Sequence, residues 1–285
     1  MRAQLLHEVL PRHDDVSGPI LEIDDIHLSF AGVKAVDGVS FAVRNSEIFA
    51  VHGPNGAGKT SIFNCISGVY HPQAGSVRFL GHDLLGLRPD RIADLGVART
   101  FQNIELFPQM TVLDNLMLGR HQHIEYGSAA AMLRVGKASR EEARNREIVE
   151  GIIEFLEIQQ FRKAFVAMLP YGIQKRIEMG RALAMEPRLL LLDEPVAGMN
   201  VEETEDMARF ITDIRRELAI GFILVEHDMR MVMDLADHVL ALDFGKPIAL
   251  GLPAEIQSNP DVIRAYLGEE HAIADQGTPE TGETA

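Results

Sequence analysis

The chain has 285 residues, 46% hydrophobic and 24% charged, a composition typical of folded globular proteins and long enough for about two domains. Asp and Glu number 42 against 27 Lys and Arg, and a formal net charge of -15 argues against nucleic acid as the main partner. A single cysteine, Cys65, excludes an internal disulfide and points to a reducing, cytosolic compartment, and no apolar run approaches the roughly 18 residues that a membrane-spanning helix needs.

Residues 1–19 lack clear periodicity and end in Ser17-Gly18-Pro19, which predicts a flexible leader, with folding from about residue 20. Leu21, Ile23, Ile26, Leu28 and Phe30 then alternate as a half-buried strand would, with one slip at Asp24-Asp25. Val39, Phe41 and Val43 repeat the pattern, and residues 47–52 form a short apolar run before a Gly-rich turn and a helix predicted from Gly58 to about Gly68. Residues 111–185 carry almost no strand signal. Ser139-Arg140-Glu141-Glu142 fits a capping box ahead of Ile148, Ile152, Phe155 and Leu156, so this stretch reads as an inserted helical subdomain. Strand and helix then alternate again: strands at 189–192, 222–225 and 239–242, and a helix from about Asn200 with Glu203 at the capping-box position. Asn259-Pro260 starts a short helix through Leu267, whereas residues 269–285 contain Glu269, Glu270, Asp275, Glu280 and Glu283 and no Lys or Arg, which predicts a disordered acidic tail.

The turn after the 47–52 strand is Gly53-Pro54-Asn55-Gly56-Ala57-Gly58-Lys59-Thr60, a match to G-x-x-x-x-G-K-[ST] between a strand and a helix. Glycines there let backbone N–H groups converge on phosphate oxygens, and the helix N-terminus adds partial positive charge. Lys59 is placed for the β- and γ-phosphates, Thr60 for Mg²⁺ and Ser61 for the α-phosphate. The 189–192 strand exits into Asp193-Glu194, which supplies a carboxylate for Mg²⁺ and a second one to orient or deprotonate an attacking water. A P-loop kinase of a small metabolite has no use for that water. His227 follows the 222–225 strand, where ligand-contacting residues of open α/β sheets collect. Gln102 follows residues 97–101 and opens the helical region, within reach of the metal or the water. Phe30 is a candidate for stacking on a purine, with core packing as its other role, and Cys65 reads as a small buried apolar residue.

Together, the P-loop at 53–60, Gln102, Leu169-Pro170-Tyr171-Gly172-Ile173-Gln174, Asp193-Glu194, Ala197-Gly198-Met199-Asn200 and His227 resemble the ATP-binding subunit of an ABC transporter, over about residues 21–268. The resemblance implies a mainly parallel core sheet, an antiparallel β subdomain and an α-helical subdomain at about 103–185. It makes Leu169 to Ile173 the signature loop, Ala197 to Asn200 the D-loop, Gln102 the Q-loop glutamine, His227 the switch histidine and Phe30 the adenine-stacking aromatic. Two such domains join head to tail around ATP and Mg²⁺, which implies a homodimer, or a heterodimer with a sister ATPase. It further implies two membrane-spanning permease subunits, an extracytoplasmic substrate-binding protein acting indirectly, and a peripheral location on the cytoplasmic face of the inner membrane.

The signature departs from Leu-Ser-Gly-Gly-Gln: Pro170 replaces Ser, Tyr171 replaces Gly and Ile173 replaces Gln. This Pro-Tyr-Gly form, the Ala-Gly-Met-Asn D-loop and a C-terminal segment at about 252–268 ending Ala265-Tyr266-Leu267-Gly268 resemble ATPases of high-affinity branched-chain amino-acid importers. Ile104, Leu106, Phe107, Met110, Val112 and Leu113 occupy the position that receives a coupling helix in that family. Two alternatives stand beside this reading: a soluble ABC-type ATPase without a transport role, and an ATP-binding regulatory subunit with weak hydrolysis.

Overall fold

The computed structural model describes residues 4–13, 16–123 and 137–266. Alternating apolar residues build an antiparallel pair, β1 (Pro19–Phe30) and β2 (Val33–Arg44), to which β4 (Ala74–Phe79) and β5 (His82–Asp83) add in the order β2-β1-β4-β5. The slip at Asp24-Asp25 is a bulge: the register with β2 shifts between Ile23 and Ile26, and Asp25 has φ 45°.

The second sheet runs β10-β9-β3-β8-β7-β6 and is built from β3 (Ile48–His52), β6 (Val97–Arg99), β7 (Leu189–Asp193), β8 (Gly221–Val225), β9 (His238–Asp243) and β10 (Lys246–Gly251). All neighbours are parallel except β10, which returns antiparallel to β9. Strands β3, β7 and β8 are buried along their whole length, which explains their unbroken apolar sequence. The pleat sorts their side chains into two cores. Leu190, Leu192, Phe222 and Leu224 face a helical core, whereas Leu189, Leu191, Ile223 and Val225 pack with the antiparallel sheet and with α2 (Lys59–Ile66).

The remaining described helices are α1 (Gln4–Val9), α3 (Pro89–Asp94), α4 (Val112–Gly119), α5 (Lys137–Phe155), α6 (Tyr171–Leu183), α7 (Val201–Leu218), α8 (Met229–Leu235), α9 (Pro253–Gln257) and a final α10 at 260–266. Helix α7 carries the expected capping box, in which the Asn200 side chain accepts from the Glu203 N–H and Glu203 accepts from the Asn200 N–H. Asn259 likewise caps α10 by accepting from the N–H groups of Asp261 and Val262.

Two expectations need correction. The leader is not loosely attached: Leu6 and Leu10 are buried in the helical core, and Val9 packs against Gly151. Arg12 donates to the carbonyls of Arg216 and Glu217 and the His13 N–H to that of Leu218, so the leader caps the C-terminus of α7. Ser139 is not a helix cap either, because α5 is already under way at Lys137. The tail at 269–285 lies outside the described residues.

Candidate functional site

The carboxyl ends of β3, β6, β7 and β8 lie side by side in the parallel sheet, so the segments that follow them converge. After β3 the chain turns through the P-loop into α2. Gly58, with φ 99°, precedes Lys59, and a Cβ on it would stand 2.3 Å from the Ala35 carbonyl oxygen. Only glycine fits this turn against the start of β2. Lys59 Nζ donates to the carbonyls of Gly53 (2.6 Å) and Pro54 (2.9 Å), a position beside the loop's concave side.

A cavity of about 330 Å³ opens there, lined by residues 55–61 of the P-loop and α2, by Val33 to Ala35, and by Gln102, Glu194 and Phe244. Gln102 Nε2 donates to Glu194 Oε2 at 3.0 Å, so the segments leaving β6 and β7 meet in the cavity wall. Glu194 has φ 47°, left-handed backbone that is costly for a residue with a side chain and that gathers at functional sites.

Asp193 sits one residue deeper and is buried, with Arg99 Nη2 donating to its Oδ2 at 2.9 Å. Burial pushes the Asp193 carboxyl above the ordinary carboxylate range, and the Arg99 guanidinium pulls against it. Arg99 also donates to Asn64 Oδ1 (2.6 Å) and lies over the rings of Phe63 and Phe101, which joins β6, β7 and α2 at one side chain.

Two expected residues stand apart. The His227 side chain is 61% exposed, with Nδ1 3.8 Å from Glu226 Oε2, and it does not line the cavity. Phe30 also lies outside the lining; its ring meets Tyr70 edge-on at 4.9 Å between centroids. The residue before His227 is fixed more firmly. The Glu226 carboxylate is fully buried and accepts from the N–H groups of His227 (3.0 Å), Asp228 (3.3 Å) and Val196 (3.5 Å), which bridges the loop after β8 to the one after β7.

Leu169 to Ile173 lie outside the cavity lining. Pro170 opens α6 without a side-chain cap, Tyr171 is exposed beside Gly198, and Ile173 packs against the helical core together with Met199. Gly172 is buried, and a Cβ on it would come within 2.2 Å of Glu203 Oε1, so the start of α6 and the cap of α7 are packed backbone to side chain. One turn on, Lys175 and Glu178 form a buried ion pair that holds the base of the Gln102 segment. Lys175 Nζ donates to the carbonyls of Phe101 (3.0 Å) and Gln102 (2.9 Å), and Glu178 accepts from the Phe101 N–H (3.2 Å).

Comparison with known proteins matches residues 36–197 to the family described as ABC transporter. The chain belongs to that family. Residues 246–272 of this cassette also match the family described as branched-chain amino acid ATP-binding cassette transporter. The chain is 40% identical over 254 residues to the high-affinity branched-chain amino acid transport ATP-binding protein BraF of Pseudomonas aeruginosa, covering 89% of this chain and 100% of that one. It is 32% identical to the lipopolysaccharide export system ATP-binding protein LptB of Haemophilus influenzae, over 89% of this chain and 99% of that one. Among solved structures, the ADP conformation of an ABC transporter ATP-binding cassette superposes with a TM-score of 0.77 at 28% identity, covering 88% of this chain and all of the other. The fold is that of a P-loop ABC ATPase, and the chain is an ATPase subunit of this transporter family.

Arg99, Lys175, Glu178, Glu226 and Phe244 are parts of this cassette that motif reading passes over. Lys175 and Glu178 are three apart on a helix and carry a local signal. Arg99, Glu226 and Phe244 acquire meaning only from partners far away in sequence.

Proposed function

We propose that the chain is the Mg-ATP-hydrolysing subunit of a membrane importer for branched-chain or chemically related amino acids. The observation that carries the hydrolytic part is the meeting of Gln102 and Glu194 in the wall of the P-loop cavity. In this reading the backbone N–H groups of residues 55–60 and the Lys59 ammonium hold the phosphates, and Ser61 adds a hydroxyl. Glu194 takes the proton of an attacking water that Gln102 helps to hold. His227, exposed on the loop after β8, is the switch histidine of this reading.

The donor set suits a magnesium ion. Thr60 and Gln102 line the cavity, Asp193 is buried one residue before Glu194 of that lining, and among the described residues no cluster of three or more His, Cys, Asp or Glu side chains is arranged as a metal cage. A bound Mg²⁺ would therefore take further ligands from phosphate and water, and would supply neutralising charge to the phosphate oxygens.

The separation of Leu169 to Ile173 from the cavity supports head-to-tail pairing, in which a second copy or a sister ATPase brings its signature loop to the phosphates. Pro170 has no hydroxyl and Ile173 is turned into the core, so the Gly172 backbone at the start of α6 would make that contact. Among the described residues no helix is long and apolar enough to cross a membrane, and the reading places the cassette on the cytoplasmic face through two permease subunits. The names of the relatives and the match at 246–272 support the cargo class. The test is to tag the chain, solubilise native membranes gently and identify what co-purifies. Recovery of two multi-span proteins and a sister ATPase is expected, with the associated binding protein indicating the cargo; recovery of soluble proteins alone would overturn the transport role.

A further inference from the structure

We propose that His52 is a positioning residue for the loop that carries His227, an inference that rests on the hydrolytic reading above. His52 ends β3, behind the buried apolar residues Ile48 to Val51, and is itself only 1% exposed. Its Nδ1 lies 2.9 Å from the Glu226 carbonyl oxygen, whereas Nε2 is buried without a hydrogen-bond partner among the described residues. A carbonyl only accepts, so Nδ1 carries a proton and donates it. Burial pushes the imidazole below its ordinary pKa and keeps the ring neutral, which leaves Nε2 as a bare acceptor. Sealing that acceptor from water costs stability that a leucine at the end of this strand would not cost. Packing alone therefore does not account for a histidine here; the bond from Nδ1 does.

That bond falls where β8 leaves the sheet. The last registered pair between β3 and β8 is Val51 with Val225, so Glu226 is the first residue beyond the ladder, and His52 holds its carbonyl at that exit. The Glu226 carboxylate in turn accepts from the N–H groups of His227 and Asp228 and from that of Val196, two residues past Glu194. One buried residue thus sets the start of the His227 loop and braces the segment after Glu194, and the His52 ring ties it to the strand that enters the P-loop. Tyr266 of α10 stacks on the same ring, 4.9 Å between centroids and 19° between planes, which fixes its orientation. The C-terminal segment matched at 246–272 so reaches the base of the His227 loop through two rings.

The test compares His52→Leu, which keeps an apolar side chain and loses the donor, with His52→Asn, whose Nδ2 replaces the lost Nδ1–H. In the full-length chain, amide hydrogen exchange at residues 227 and 228 is expected to be about 3- to 10-fold faster in His52→Leu and close to the unaltered rate in His52→Asn. The kcat for ATP hydrolysis is expected to fall about 10- to 100-fold in His52→Leu with KM unchanged, and to recover in His52→Asn. Nitrogen NMR of the histidine-labelled chain should show one neutral, Nδ1-protonated ring that disappears in His52→Asn. Unchanged exchange in His52→Leu, no recovery in His52→Asn, or an Nε2-protonated His52 would each overturn the positioning role. A raised KM with unchanged kcat would place the effect in the phosphate loop and overturn it too. Absence of hydrolysis by the unaltered chain would sink the hydrolytic reading instead, while exchange and NMR still decide whether His52 holds the loop.

Discussion

Gln102 Nε2 lies 3.0 Å from Glu194 Oε2, which joins two segments 92 residues apart in sequence at the edge of the P-loop cavity. A carboxylate held by a side-chain amide in this way is oriented before substrate arrives. Glu194→Gln keeps the size of the side chain and removes the proton acceptor. It is expected to lower ATP turnover by about 10²- to 10⁴-fold while ATP binding is retained. Steady-state hydrolysis and equilibrium nucleotide binding check this, and wild-type turnover in the variant would remove Glu194 as the base.

The buried Lys175–Glu178 pair is the support beneath that contact. Lys175→Met leaves Glu178 buried without its cation and strips the carbonyls of Phe101 and Gln102 of a donor. Loss of one partner of a buried pair typically costs about 3–5 kcal/mol. A lowered urea midpoint is expected, with partial recovery in Lys175→Met/Glu178→Leu, where no charge is left unpaired. Equal midpoints for the single and double variants would deny the pair this role.

Gly172 meets a different constraint, set by the Glu203 carboxylate. Gly172→Ala pushes that carboxylate off the Asn200 N–H and breaks half of the capping box of α7. A lost cap costs about 1 kcal/mol, or roughly 2–4 °C in Tm for a domain of this size. Thermal unfolding of Gly172→Ala beside Gly172→Ala/Glu203→Ala tests the mechanism, because the second change removes the clash and should add little further loss.

Local signals explain which parts of this cassette were legible in its sequence. The P-loop, Asp193-Glu194 and the α7 capping box follow from residues close together in the chain, and the Asp24-Asp25 slip showed as a break in alternation. Strands β4, β5 and β10 were not legible. Each is short or partly exposed, and β10 opens with Lys246-Pro247 and alternates poorly. The leader misled because its two buried leucines need α5 and α7 beside them to become a core. Ser139 misled because a capping-box spacing also occurs by chance inside a helix. Arg99 and Glu226 were invisible for the same reason as the leader, since their partners come from other strands.

Burial pushes the Cys65 thiol up to about 12, from an ordinary value of 9.0. At pH 8 the folded protein should resist iodoacetamide and react on unfolding in urea, because the thiolate is the nucleophile. The sign of the stability effect follows from the same shift. An acid whose pKa is raised by folding stays neutral in both states below pH 9 and costs nothing there. Between pH 9 and 12 the unfolded state loses the proton first, so stability falls by up to about 1.4 kcal/mol per pH unit. Cys65→Ala should remove that component of the alkaline loss; rapid native labelling at pH 8 would contradict the burial.

Phe107 tests the docking surface. Of the apolar residues after Gln102, Leu106 and Val112 are buried in the helical core and Ile104 and Leu113 pack against it, whereas Phe107 remains 54% exposed. Residues 108–110 are bonded to 166–167 through Val166 N–H to Met110 and Ala167 N–H to Pro108, which brings exposed Phe165 and Met168 onto the adjoining segment. Three exposed apolar side chains on two tied segments form a surface suited to an apolar helix face of a permease subunit. Phe107→Asp should change stability by no more than about 0.5 kcal/mol, because the site is exposed. ATP binding should stay intact while recovery with native membranes falls. Unaltered membrane recovery would take Phe107 out of the interface, and loss of ATP binding in the same variant would show that the substitution disturbs the Gln102 segment instead.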